Sequence, residues 1–386
     1  MRIRRFTNAR TRLASDAPLR ARGLSQLLRL PQQLLMVLVC VGLTATSCTS
    51  GDAPAPAGSA TATANGAGAS SADAGVAAAN AGFPRTLRDS TGAALTLAAA
   101  PHRIVSQTLG TDEILFAICP HDRLVALSPF ARDADYSNIT KEAAASGLPA
   151  VNGAEDIIRL KPDLIFIASY SRAETVDLLR ASRAPLFRFA SFERVDDVLG
   201  NIKIIGQAIG EERAAEALIT ESQRRLSAAR ARIPAGRPQP RVMSLSSYGT
   251  TAAANTLFDD IIRQAGAINV SAERGLTGFP QISAEQVLAW QPDFIVFDAK
   301  AGQEDEARRR FRNDPALAAT RAVREGRLIL MPGGQFLTVS HHVVDAVDTL
   351  VGALYGARAQ PASSASSAAA APVQAPAPAP PAGRTP

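Results

Sequence analysis

Residues 155–167 read EDIIRLKPDLIFI, and residues 285–297 read EQVLAWQPDFIVF. A glutamate, apolar pairs, Pro-Asp and a β-rich run recur in one register, 130 residues apart. Each copy specifies a short helix followed by a strand. Glu155 and Glu285 stand in the first helical turn, where the helix dipole favours a carboxylate. Ser283 is placed to cap the second copy. Pro162 and Pro292 end the helices, because a residue before proline avoids the α region. The runs 164–167 and 294–297 are short and wholly apolar, as strands buried on both faces of a parallel sheet are. One such unit in each half of the chain specifies two α/β lobes, each with a mostly parallel sheet.

The surrounding sequence fills in these lobes. Further strands are expected at 104–106, 124–127 and 186–189 in the first half, and at 242–246 and 328–331 in the second. Residues 86–89 and 94–97 form a hairpin around Thr91-Gly92. Between the halves, 196–210 and 211–233 are helical, with Ala214, Leu218, Ile219 and Leu226 at helical spacing. A 23-residue helix would be about 35 Å long, enough to join the lobes as a stiff hinge. The expected organisation is an N-terminal lobe at 83–195, a helical backbone at 196–234 and a C-terminal lobe at 235–357. A ligand would lie in the cleft between the lobes.

The ends of the chain differ in kind. The first 30 residues carry Arg2, Arg4, Arg5, Arg10, Arg12, Arg20, Arg22 and Arg29, and an apolar run follows at 34–45. That run is short of the ~20 residues a membrane-spanning helix needs. With the small residues Ala45-Thr46-Ser47 it reads as a secretory signal, 1–47. The following Cys48 resembles the lipidated cysteine of a bacterial lipobox, which implies a periplasmic, membrane-anchored lipoprotein. Residues 48–82 and 358–386 are rich in Ala, Gly, Ser and Pro, with almost no bulky apolar side chains, and read as a disordered tether and tail. The signal holds eight Arg and one Asp, so of 41 basic and 35 acidic residues 33 and 34 remain. A near-neutral mature chain argues against nucleic acid as a partner. With Cys48 lipidated, Cys119 has no disulfide partner, and the run 114–119 places it in a core.

Four segments, RIVSQTLGTDEILFAI (103–118), GAEDIIRLKPDLIFIAS (153–169), TLFDDIIRQAGAINV (256–270) and ISAEQVLAWQPDFIVFDA (282–299), resemble the substrate-binding proteins of ABC importers for ferric siderophores, haem and vitamin B12. In that family two α/β lobes are joined by a backbone helix, the helical-backbone metal-receptor type. The resemblance covers 83–357. It implies a monomer that captures a small metal chelate and delivers it to an ABC permease dimer with its ATPase. It implies no catalysis, no cofactor and no resident metal. It also implies that Glu155 and Glu285 dock onto the permease, one from each lobe. On the residues alone, the pair reads equally as ordinary helix-start carboxylates.

Cleft contacts are expected on the loops after the strands. These carry Phe130, Arg132 and Tyr136, then Tyr170 and Arg172, then Tyr248, with Phe279 and Phe336 further along. A loop tyrosine offers a flat face and a polar tip to a planar or chelated ligand. The arginines are candidates for an anionic chelate. His341-His342 follows Ser340, which is placed to cap a helix burying Val347, Leu350 and Val351. His341 is a candidate cleft contact. A free Zn²⁺ or Mn²⁺ carrier would need about three His and a carboxylate, and the chain has only His102, His121, His341 and His342. No G-x-S-x-G, Walker A, G-x-G-x-x-G or H-E-x-x-H motif points to an enzyme. A surface lipoprotein without a transporter is a further alternative. A long helical hinge predicts only modest lobe closure on binding.

Overall fold

Arg103 and Arg241 open the first strand of the two sheets, and each ties that strand to the repeated motif. The backbone N–H groups of His102 and Arg103 donate to the Asp163 carboxylate at 2.7 and 2.8 Å. Arg241 N–H donates to Asp293 at 2.9 Å. In return, the Arg103 guanidinium caps the carbonyls of Leu160 and Lys161, and Arg241 caps those of Trp290 and Gln291. These carbonyls end the helices Ala154–Arg159 and Ala284–Trp290 and have no partner within the helix. Lys161 and Gln291, each before the proline, take positive φ of 47° and 44°. The Pro-Asp motif is thus a lock between helix end and strand start, made twice.

The computed structural model describes residues 82–356. Its strands are β1 (Arg85–Arg88), β2 (Ala94–Leu97), β3 (Ile104–Ser106), β4 (Leu124–Ala126), β5 (Leu164–Ala168) and β6 (Leu186–Phe189) in the first part, then β7 (Arg241–Ser244), β8 (Ile268–Asn269), β9 (Phe294–Phe297) and β10 (Leu328–Leu330). The N-terminal sheet has the order β4-β3-β5-β6 and the C-terminal sheet β10-β9-β7-β8. Read from the other side, the second is β8-β7-β9-β10, the same order. All pairings within both sheets are parallel. The sequence expectation of two α/β lobes is met. β4 and β7 end one and two residues earlier than expected, because Leu127 and Leu245 pass into the loops that carry the site. The hairpin β1–β2 is antiparallel, with its Asp89 carboxylate holding the turn through the N–H groups of Thr91 and Ala93.

The connection between lobes differs from a single long crossover. It is a helical pair, Val195–Ile209 and Glu212–Arg230, folded back at Gly210, whose φ of 75° turns the chain. The second helix has 19 residues, about 28 Å rather than 35 Å. The pair packs so closely that a Cβ on Gly206 would lie 2.4 Å from that of Ala215. Both helices cross between lobes. The first starts with Val195 N–H on Asp260 of the C-terminal lobe and ends with the Ile209 carbonyl on Arg123 of the N-terminal lobe. The second starts with Glu211 on Arg123, 2.9 Å, and ends with Arg225 and Arg232 paired to Asp345 and Asp348, both at 2.6 Å. Ile202, Ile205, Ile209, Ile219 and Leu226 join one apolar core that runs from Ile104 in one lobe to Val242 and Leu350 in the other. Each such side chain contributes about 1.5–3 kcal/mol on burial, so the spine is a continuous core rather than a flexible strap.

The leader, Cys48, nearly all of the tether and the C-terminal tail lie outside the described residues. Cys119 is buried as expected, and burial pushes its thiol up to about 12.

Candidate functional site

The loops at the carboxyl ends of the strands face one another between the lobes. After β3, Thr108 caps the helix Leu109–Ile118 and shares a hydroxyl ladder with Ser106 and Thr111 at 2.6–3.1 Å. Tyr170, after β5, brings its phenol to Thr108 and its ring to 5.6 Å from Phe192. Burial raises the Tyr170 phenol pKa, so it stays a neutral donor. After β4, Phe130 and Tyr136 meet edge to face at 5.9 Å. On the other lobe, Tyr248 stands 43% exposed at the tip of the turn after β7.

Tyr136 and Tyr248 meet across the cleft. Burial, then the hydrogen bond to Tyr248, raises the Tyr136 phenol. Beneath them is a cavity of about 20 Å³, bordered by Asp135, Ser247, Asp298 and Lys300 as well as the two tyrosines. That is room for one water molecule, not for a chelate. Beside it the lobes touch directly. Ala301 N–H donates to Asp135 at 2.8 Å, and the Asn138 amide donates to the Gly334 carbonyl at 2.9 Å. A Cβ on Gly333 would lie 1.9 Å from the Asp135 carbonyl oxygen. The lobes are therefore already closed here, and a ligand held between the two tyrosines requires them to part.

Two buried carboxylates, Asp112 and Glu113, sit at the base of this contact on the helix Leu109–Ile118, Asp112 in its first turn. Asp112 accepts from the Ser128 N–H at 3.1 Å and from its hydroxyl. Glu113 accepts from the Asn138 N–H and side-chain amide at 2.9 and 3.0 Å, and from the Ser340 hydroxyl of the other lobe. Sequence reasoning missed Glu113, Asn138 and the Gly333-Gly334 pair. The glycine pair was the available signal, since adjacent glycines mark a close backbone approach.

Four expected cleft residues are placed otherwise. Phe336 is 8% exposed and packs on Phe258 at 4.8 Å, within the shared core. Arg132 turns its guanidinium onto the Ala143 and Leu148 carbonyls of its own lobe. Arg172 is exposed at the head of the helix Ala173–Ala181. His341 stacks at 4.2 Å on His342, whose Nδ1 is 2.7 Å from Asp345, itself paired with Arg225 of the spine. The histidine pair belongs to the spine side. Phe279 is 44% exposed on the C-terminal lobe. Among the described residues no group of three or more His, Cys, Asp or Glu is arranged to hold a metal.

Glu155 and Glu285 are both exposed, each in the first turn of the helix that precedes the central strand pair of its lobe. Their equivalence follows from the matching sheet orders.

The sequence profile of the periplasmic binding protein family matches residues 104–333. The chain belongs to that family. A cobalamin-binding protein of Halobacterium salinarum is 28% identical over 225 residues, 58% of this chain and 61% of that protein. The chain thus spans about three fifths of that relative's length. A vitamin B12-binding protein of Yersinia pestis is 28% identical over 218 residues, 55% of this chain and 75% of that one. Among solved structures, the apo periplasmic haem-binding protein RhuT from Roseiflexus sp. RS-1 superposes with a TM-score of 0.59 at 28% identity, covering 67% of this chain and 99% of RhuT. Family membership implies an extracytoplasmic location. Among the described residues no helix is long and apolar enough to cross a membrane.

Proposed function

We propose that this chain is the solute-binding component of an ABC importer. It captures a metal chelate between its lobes and presents it to a permease dimer. The observation that carries this reading is the placement of Glu155 and Glu285, exposed and equivalent, on two lobes joined by a rigid spine. Two charges at a fixed spacing set the register on a two-fold partner. The names of the relatives support a ligand of the cobalamin or haem kind, and Tyr136, Tyr170 and Tyr248 offer ring faces and phenols from both lobes. Cys48, lipidated, anchors the chain to the membrane by its tether.

The test has two arms. Purified protein is titrated with haemin, cyanocobalamin and a ferric siderophore while its visible spectrum is followed. Uptake of the bound chelate is then measured in cells carrying Glu155→Ala with Glu285→Ala. The expected result is binding retained and uptake lost. Uptake that survives the double substitution with binding intact removes the docking role of the two glutamates. Cys48→Ser is expected to release the protein from membranes.

A further inference from the structure

We propose that Asp298 and Arg310 are positioning residues of the cleft: together they aim Tyr248 at Tyr136. The turn that carries Tyr248 closes on its own bonds. Ser246 N–H donates to the Thr250 carbonyl at 2.9 Å, Gly249 N–H donates to the Ser246 carbonyl at 3.0 Å, and Gly249 takes the positive φ of 78° that the turn requires. Those bonds make a turn but do not fix its tilt against the lobe. The tilt is set by one backbone bond, from Ile282 N–H to the Gly249 carbonyl at 2.9 Å, and by two charged side chains that grip the other side of the turn. Asp298, at the end of β9, accepts from Ser247 N–H at 2.8 Å. Arg310 donates to the Ser247 carbonyl at 3.0 Å and to the Ser246 carbonyl at 3.2 Å. The peptide groups on both sides of Ser247 are thus gripped by charged side chains, whose hydrogen bonds are stronger than those between neutral groups.

The grip is itself anchored. Arg310 belongs to the helix Glu304–Asn313, and the next residue, Phe311, is buried against Phe297 of β9 with ring centroids 4.8 Å apart. Burial lowers the Arg310 pKa and raises that of Asp298, and each charge opposes the shift of the other. An exposed turn with its own internal bonds does not need two partly buried charged side chains in order to form. A tyrosine that must meet a partner on another lobe does need a fixed direction, since misplacement of about 1 Å is costly at a site.

This inference rests on the reading of Tyr136 and Tyr248 as ligand contacts from opposite lobes. Its test uses no ligand and so fails separately from that reading. The chain has four tyrosines, so full-length protein labelled with 3-fluorotyrosine gives four fluorine resonances, assigned by single Tyr→Phe substitutions. Arg310→Ala and Asp298→Asn are each expected to move the Tyr248 and Tyr136 resonances toward the free-residue position while those of Tyr170 and Tyr355 stay in place. Arg310→Lys, which keeps the charge but not the fork, is expected to give a smaller displacement. A Tyr248 resonance unmoved in both variants overturns the proposal. So does displacement of all four resonances together, which marks a general role in folding.

Discussion

The Ser340 hydroxyl of the C-terminal lobe donates to the Glu113 carboxylate of the N-terminal lobe, where both residues are buried. Glu113 also accepts twice from Asn138, which reaches back across the interface to Gly334. One carboxylate thus holds a loop of its own lobe and a loop of the other. Removing it leaves buried donors without an acceptor, at a cost of about 1–3 kcal/mol. Glu113→Ala is expected to lower the unfolding free energy, measured by urea denaturation, by that amount and Ser340→Ala by less. The double variant is expected to lose less than the sum of the two, because the residues share a bond. Strict additivity would break the tie.

The pH dependence of stability contains two opposed contributions. Burial raises the Asp112 pKa from 3.8 to about 7, despite its bonds from Ser128. The folded state then holds a proton that the unfolded state releases, so this stability is full below pH 3.8 and is lost as pH rises toward 7. Burial, aided by His342, lowers the His341 pKa from 6.5 to about 3. There the unfolded state takes the proton, so stability is full above pH 6.5 and is lost as pH falls toward 3. Between about pH 4 and 6.5 the two slopes oppose each other and largely cancel. Urea midpoints measured across that window are expected to be nearly flat in the native chain, to rise with pH in Asp112→Asn, and to fall with pH in His341→Leu. Parallel curves for all three proteins would contradict both assignments.

Asp163 and Asp293 are expected to matter alike, although Asp163 accepts two backbone N–H groups and Asp293 accepts one beside its pairing with Arg321. Each accepts a backbone N–H from the head of the first strand of its sheet. Asp163→Ala and Asp293→Ala are expected to cost about 1.5–3 kcal/mol each, the range for hydrogen bonds to a charged group. Chemical denaturation of the two single variants checks this. A cost confined to one lobe would mean that the repeat is a resemblance of sequence without a shared role.

That lock also explains how much was legible in the chain. The helix, Pro-Asp and strand could be read because local chemistry sets them: a capping serine, a proline stop and an apolar run. The arginine half of the lock stands about 50–60 residues upstream and carries no local signal. The spine was legible as helix, but its fold-back depended on the left-handed conformation of Gly210 and the absence of a Cβ at Gly206, which only packing reveals. In the candidate site, loop position placed Tyr136, Tyr170 and Tyr248 after the strands, where the structure has them. It could not say which way a side chain turns, and so Phe336 went to the core and Arg132 to its own lobe's carbonyls. Glu113 was hidden because its partners, Asn138 and Ser340, stand 25 and 227 residues away and leave no local signal.

The lobes share one core along the spine, and on the other side they meet where Gly333 has no room for a Cβ beside the Asp135 carbonyl. Gly333→Ala must therefore either strain that contact or part the lobes there. Backbone at such a contact yields poorly, and overpacking costs about 1–3 kcal/mol. The spine resists bending, so the parting is expected to be small and to take the form of rotation about the two helices. Spin labels at 155 and 285, introduced by Glu155→Cys and Glu285→Cys, are expected to lie farther apart in Gly333→Ala than in the parent. Haemin or cyanocobalamin bound between Tyr136 and Tyr248 is expected to lengthen the same distance in the parent, because about 20 Å³ admits neither. A distance that shortens on binding would mean that the ligand is taken elsewhere on the molecule, and that the contact between Asp135 and Gly333 is no gate to the site.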